Sequence, residues 1–295
     1  MGKTFLLMGT TAQFISKIRC LYLYQQERFK LSLFIPLALY LTVIGLSISP
    51  LELTPTQYLS SLVLCISLLF LFRLWDDLFD LNFDRVHHPH RILTKQFNLS
   101  VFWKFSLLLL LLSFFLIRIQ AGQYHNAIGF LIFCLIYFIV VSHLSPKFRR
   151  IPGLHQLPLL KYPIYLLFIN PHLGGANKFV ITHQWTCLVA VFFVAGIYEV
   201  MHDKDYFSCS VHKAIMVVEY VVLLVFIAWR NVQISIISIK FLALSFNFIG
   251  LIIIIFIVLK IKDFASIQKM KYTPFFLLFL GIVLWLVNNQ MLTIS

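Results

Sequence analysis

The sequence predicts an all-α polytopic membrane protein, about nine transmembrane helices in one bundle around a central cavity, and three observations predict it. Apolar residues make up 60% of the 295 and charged residues only 12%, about half the charged share of a soluble domain. Runs of about 20 mostly apolar residues, the length that crosses ~30 Å of hydrocarbon, recur from Leu31 to the end of the chain. No long polar insert separates them, so residues 1–295 read as a single transmembrane domain.

Before Leu31 the apolar stretch Phe5–Met8 breaks at Gly9 and is followed by Gln13, Lys17 and Arg19. That pattern lacks the apolar core of a cleavable signal peptide, and the segment is expected to be retained. Hydropathy then places spans near 31–49, 57–74, 100–119, 124–143, 157–171, 182–200, 213–230, 237–261 and 273–292. The fifth is interrupted by Pro158 and Pro163 and ends at Asn170 and Pro171, so neighbouring helices must satisfy the backbone groups it frees. The cysteines (Cys20, Cys65, Cys134, Cys187, Cys209) form no CxxC pair and no zinc spacing, and read as small packing residues.

Net charge is +13. In a chain this apolar the excess points to anionic lipid and the positive-inside bias rather than to nucleic acid. With nine spans and a cytoplasmic N-terminus, most of the 24 Lys and Arg fall on one side, leaving Arg118, Lys178, Arg230 and Lys240 on the other. A wrong number of spans would have scrambled that sorting.

The acids are more selective. Of 11 in the chain, Asp76, Asp77, Asp80 and Asp84 stand together after the second span, and Glu199, Asp203 and Asp205 after the sixth. Both groups fall on the cytoplasmic side by the charge argument. Asp76, Asp80 and Asp84 repeat at helical spacing, as do Glu199 and Asp203, so each set forms a stripe. Like charges at that spacing cost a helix about 0.2–0.5 kcal/mol per pair, which calls for a compensating cation. Mg²⁺ takes carboxylate oxygens together with substrate phosphates, and Arg85, Arg91, Lys204 and Lys161 are the bases placed to complete a diphosphate clamp. Lys161 lies inside an apolar segment, where an ammonium needs a partner or a cavity.

The stretch Arg73-Leu-Trp-Asp76-Asp77-Leu-Phe-Asp80-Leu-Asn-Phe-Asp84, followed by His88-Pro89-His90-Arg91, resembles the NDxxDxxxD signature of the UbiA-type intramembrane prenyltransferase superfamily. Asp77, Asp80 and Asp84 fall on its three acids, and Asp76 takes the place of its Asn. Tyr198-Glu199-Val-Met-His-Asp203 stands where the second motif, commonly DxxxD, occurs; Leu160-Lys161-Tyr162-Pro163 stands where members often carry a diphosphate-contacting Lys.

The resemblance implies a Mg²⁺-dependent transfer of a prenyl group from an isoprenyl diphosphate to an aromatic or other lipophilic acceptor. It implies metal ligation by Asp76, Asp77, Asp80 and Asp84 on one side and Glu199 and Asp203 on the other, with Asp80 and Asp203 central to catalysis. Arg91 and Lys161 would contact phosphate oxygens, and Asp205 is an extra ligand or base. His87, His88, His90 and His202 lie nearby as proton acceptors or loop residues, and Glu219 either pairs with a base or marks the cavity. By likeness and size, the membrane is a prokaryotic plasma membrane with the site open to the cytoplasm. Two other readings share these residues: a membrane terpene cyclase, in which an internal alkene captures the cation, and a divalent-cation transporter, which the one-sided placement of the acids disfavours.

Overall fold

The computed structural model describes residues 17–47, 54–96, 99–121, 124–143, 154–169, 188–189, 191–193, 195–196 and 210–231, and no strand occurs among them. The helices are α1 (Lys17–Arg28), α2 (Leu31–Ser47), α3 (Pro55–Phe79), α4 (Leu81–His87), α5 (Ser100–Ala121), α6 (Tyr124–His143), α7 (Lys161–Ile169) and α8 (Ser210–Asn231). Among the described residues two are long and apolar enough to cross a membrane, α3 and most of α5, and α1 with α2 make a third if the bent pair counts as one span. The spans expected at 237–261 and 273–292, and most of 182–200, lie outside the described residues. The chain divides into two compact units, residues 1–43 with 51–143 and residues 44–50 with 144–295.

In the first unit α3 is the central element. Its start is fixed locally: the Thr54 hydroxyl accepts from the Gln57 amide at 3.3 Å, the Gln57 side chain accepts from the Thr54 amide at 2.8 Å, and Pro55 opens the helix. This is a reciprocal capping box with proline where its missing N–H costs nothing. Leu64, Cys65, Leu68, Leu71 and Phe72 of α3 are buried against narrow stripes of its neighbours, Phe102, Ser106, Leu109, Ser113 and Ile117 on α5 and Ala127, Phe130, Cys134 and Tyr137 on α6. Those stripes recur every three to four residues, as one helix face must.

The opposite faces of α5 and α6 expose Leu107, Leu108, Leu111, Phe115, Leu131, Ile132, Leu135 and Ile136. In water that surface would drive association; in a bilayer it is the solvent-facing side, and small or hydroxyl-bearing residues are what helices bury against each other there. The buried thiols of Cys65 and Cys134 are free and fit the packing role read from the sequence.

Helix α1 departs from the hydropathy reading, which found no element before Leu31. It packs one face and exposes the other, and it meets α2 at a 73° bend. At the break the Lys30 carbonyl accepts from the amides of Leu33 and Phe34 at 2.9 and 3.0 Å, and the rings of Phe29 and Phe34 stack 4.1 Å apart. The paired aromatic rings on either side of the first turn set the entry angle of α2, a hydrophobic staple.

In the second unit a 3₁₀ segment, Leu154–Leu160, runs into α7. The changeover at Lys161 places Pro163, which lacks an N–H, in the first turn of α7, where no intrahelical bond is lost. Gly45 faces the same helix: a Cβ there would stand 3.0 Å from Cγ2 of Ile169, closer than ordinary van der Waals contact. Helix α8 buries His212 and Glu219, two turns apart on one face.

Candidate metal and diphosphate site

Helix α3 does not stop where the apolar run stops. It continues to Phe79, carrying Asp76 and Asp77 inside its last turns. At 1.5 Å per residue its 25 residues reach ~38 Å, more than the ~30 Å of hydrocarbon. The acids therefore belong to its interfacial end. Asp80 both ends α3 and begins α4, and the backbone bonding runs straight through it. The Asp80 amide donates to the Asp76 carbonyl at 3.0 Å, the Asp84 amide to the Asp80 carbonyl at 2.8 Å, and the His88 amide to the Asp84 carbonyl at 2.7 Å. The expected stripe of Asp76, Asp80 and Asp84 is thus a real ladder of successive turns.

The side chains diverge from that ladder. Asp76 turns to α6, where Tyr137 donates its hydroxyl at 2.7 Å. Asp77, 4% exposed, turns the other way, to α1. Arg28 holds both its oxygens, Nε to Oδ2 at 2.9 Å and Nη2 to Oδ1 at 2.6 Å. The Tyr24 hydroxyl donates to Oδ2 at 2.8 Å, and Arg73, one turn back, lies 3.4 Å from Oδ1. The Tyr24 ring is itself fixed edge-on against Phe70 and Phe102. Asp84 is buried and accepts from Arg91.

Beyond α4 the chain turns back on itself. The Arg91 amide donates to the His88 carbonyl at 3.1 Å, and the Thr94 hydroxyl donates to the Arg91 carbonyl at 2.7 Å. The Ile92 amide donates to Glu27 of α1 at 2.8 Å. His87 lies over the Phe83 ring, with Nδ1 3.0 Å from the Phe83 carbonyl. His88 and His90 meet edge to face. Partial desolvation, and after it the nearby Arg91 charge, hold the His88 imidazole below the ordinary histidine range.

Of the residues singled out from the sequence, Asp76, Asp77, Asp80, Asp84 and Arg91 come together in one segment of the first unit. Lys161 is buried in the second unit at the start of α7, with its ammonium 5.5 Å from the centre of the Tyr162 ring. Glu219 is buried on α8. Glu199, Asp203 and Asp205 lie outside the described residues, as do His202 and Lys204. Among the described residues, no three His, Cys, Asp or Glu side chains converge as a ligand set. The donors of the first cluster are hard carboxylate oxygens, which suit Mg²⁺. Those of Asp77, however, are already engaged by two guanidinium groups and a phenol. Sequence reasoning missed Tyr24, Glu27, Arg28 and Tyr137. The one available signal was the Tyr24/Arg28 pair at helical spacing, with Glu27 beside it, in an otherwise basic segment.

No family model matches the sequence, and no curated protein does. A solved structure shares the fold: that of a digeranylgeranylglyceryl phosphate synthase in membranes, similar over 92% of this chain and 98% of that one, with a TM-score of 0.58 at 16% identity. That synthase is a UbiA-type intramembrane prenyltransferase. The fold of this chain is the one that its acidic motif led us to expect, and with its apolar helices it is an integral membrane protein.

Proposed function

We propose that this protein transfers a prenyl group from an isoprenyl diphosphate to a lipophilic acceptor within the membrane, with Mg²⁺ as cofactor. The observation that carries the reading is the ladder Asp76–Asp80–Asp84, set at the interfacial end of a membrane-crossing helix in a chain with this fold. Carboxylates repeated at helical spacing repel one another by about 0.2–0.5 kcal/mol per pair, and bound divalent cations would offset that repulsion.

In this reading Asp76, Asp80 and Asp84 are ligands from the first segment, and Glu199 and Asp203 from the second. Asp77, expected among the ligands, has its own partners on α1. The bound ions supply charge neutralisation for the departing diphosphate. The protein's part is to aim the carboxylates, to present Arg91 and Lys161 to phosphate oxygens, and to keep bulk water from the allylic carbon. Arg91 uses one nitrogen on Asp84. A guanidinium has five N–H donors, so it can orient on Asp84 and still reach a phosphate. The carbon–oxygen bond of the donor breaks, diphosphate leaves, and the acceptor nucleophile bonds to the allylic carbon and loses its proton. An aromatic acceptor is one class; the name of the similar synthase denotes a prenylated glyceryl phosphate, which makes a polar-headed lipid the other.

The test is incubation of the purified protein in vesicles with labelled prenyl diphosphate, with and without Mg²⁺, and with and without extracted lipid acceptors. The reading expects a prenylated lipid only when all three are present. A cyclic hydrocarbon or alcohol formed without acceptor would overturn it in favour of a cyclase. Divalent-cation flux into vesicles that ignores prenyl diphosphate would overturn it in favour of a transporter.

A further inference from the structure

Two neighbouring residues of α1 hold the two ends of the acidic segment. Arg28 binds both oxygens of Asp77, where the segment begins, and Glu27 accepts from the Ile92 amide, where it ends. Between those points lie Asp80, Asp84 and Arg91. Tyr24, one turn before Arg28, adds its hydroxyl to Asp77. On the far side of the same helix end, Tyr137 of α6 holds Asp76. The last turn of α3 is thereby gripped from two directions and cannot rotate without breaking a charged hydrogen bond.

We infer that Glu27 and Arg28 are positioning residues of the metal–diphosphate site, and that Asp77 serves as their anchor rather than as a ligand. The inference rests on the function proposed above, because it concerns how that site is aimed. The reasons are geometric. A carboxylate engaged at 2.6, 2.9 and 2.8 Å by donors from α1 has its lone pairs directed at α1, so ligating a cation would require stripping Arg28 away. The neighbouring acid, Asp76, faces α6 and accepts from the Tyr137 hydroxyl, which a metal site tolerates as an outer partner. Helix α1 therefore sorts the two adjacent acids, one for the scaffold and one for the cation.

The test uses the full-length protein in vesicles and reads two quantities. Hydrogen exchange, followed by mass spectrometry on peptides covering 84–96, reports the grip itself without any substrate. Glu27→Ala and Arg28→Ala are expected to speed exchange there by about tenfold or more, and Glu27→Gln, whose amide oxygen still accepts from Ile92, to leave it near wild type. The Mg²⁺ concentration for half-maximal turnover reports the aim. It should rise about tenfold in Arg28→Ala and in Glu27→Ala, with Glu27→Gln again near wild type. Asp77→Asn added to Arg28→Ala should raise it no further. Unchanged exchange in both alanine variants would overturn the inference. So would a faster exchange with an unmoved Mg²⁺ requirement, or a further tenfold rise when Asp77→Asn is added, the mark of a lost ligand. A wild-type protein whose turnover ignores Mg²⁺ would overturn the metal-site reading itself, and that outcome shows before any substitution is made.

Discussion

The two ends of the α3–α5–α6 layer are built from different materials. At one end the contacts are local or neutral. Thr54 and Gln57 cap α3, the Gln120 amide donates to the Ser60 hydroxyl at 2.9 Å, and Arg118 lies over the Tyr124 ring at 3.9 Å. At the other end three ion pairs crowd around the acids, Arg28–Asp77, Arg73–Asp77 and Arg91–Asp84. A helix pair needs only the first kind of end to close. Replacing a buried ion pair by apolar residues is often neutral or stabilising, so stability gives no reason to gather charge at the second. The contrast is what the proposed function requires of the acid end, with α1 as part of it.

Substitutions break or sharpen that contrast in a graded way. The largest effect is expected at the acids themselves. Asp80→Ala and Asp203→Ala should each lower turnover by ~10³-fold or more, equivalent to about 4 kcal/mol of barrier, while size-exclusion profiles and helical signal stay near wild type. Full activity in either variant would make the two ends equivalent.

Removing one partner of a buried pair leaves a charge uncompensated and costs about 3–5 kcal/mol. Arg28→Ala should fall at the lower end of that range, since Arg73 remains 3.4 Å from Asp77. Thermal unfolding of the detergent-solubilised protein reads it. Tyr137→Phe removes one hydrogen bond to a charged acceptor, worth about 1.5–3 kcal/mol. Its stability loss should be smaller than that of Arg28→Ala and should come with a raised Mg²⁺ requirement. At the opposite end Arg118→Ala gives up a cation–π contact of about 0.5–1 kcal/mol and should leave turnover and metal requirement alone.

The smallest effect concerns pH. The His88 imidazole is held below the ordinary histidine range, so the folded state binds its proton less readily than the unfolded state does. Stability from this group is intact above the ordinary histidine value and declines as pH falls through it toward the depressed one. His88→Gln should flatten that part of the stability–pH curve.

How much of this was legible depended on whether the cause was local. The placement of α2, α3, α5 and α6 was readable because an apolar run of membrane length is a property of consecutive residues. So was the Asp76–Asp80–Asp84 stripe, because helical spacing is fixed by geometry. Hydropathy misplaced the end of α3, since it tracks polarity, and α3 carries its acids out past the apolar run. Helix α1 was invisible for a different reason. Its fixed face is secured by Asp77 and the Ile92 amide, 49 and 65 residues away, and no window sees such a partner. Tyr137, 61 residues from Asp76, was hidden in the same way. The sequence offered both Asp77 and Asp80 as metal ligands, and only packing reveals that Asp77 is held by Arg28 and Tyr24 of α1.

Anomalous diffraction from crystals of the protein with Mn²⁺ and a non-hydrolysable prenyl thiodiphosphate tests the central claim most directly. The account predicts manganese peaks bridging the diphosphate and the carboxylates of Asp80 and Asp203, with Mg²⁺ in their place at about 2.1 Å from oxygen, and Asp77 still on Arg28. Peaks elsewhere, or Asp80 and Asp203 bound to separate ligands with no shared diphosphate, would contradict it.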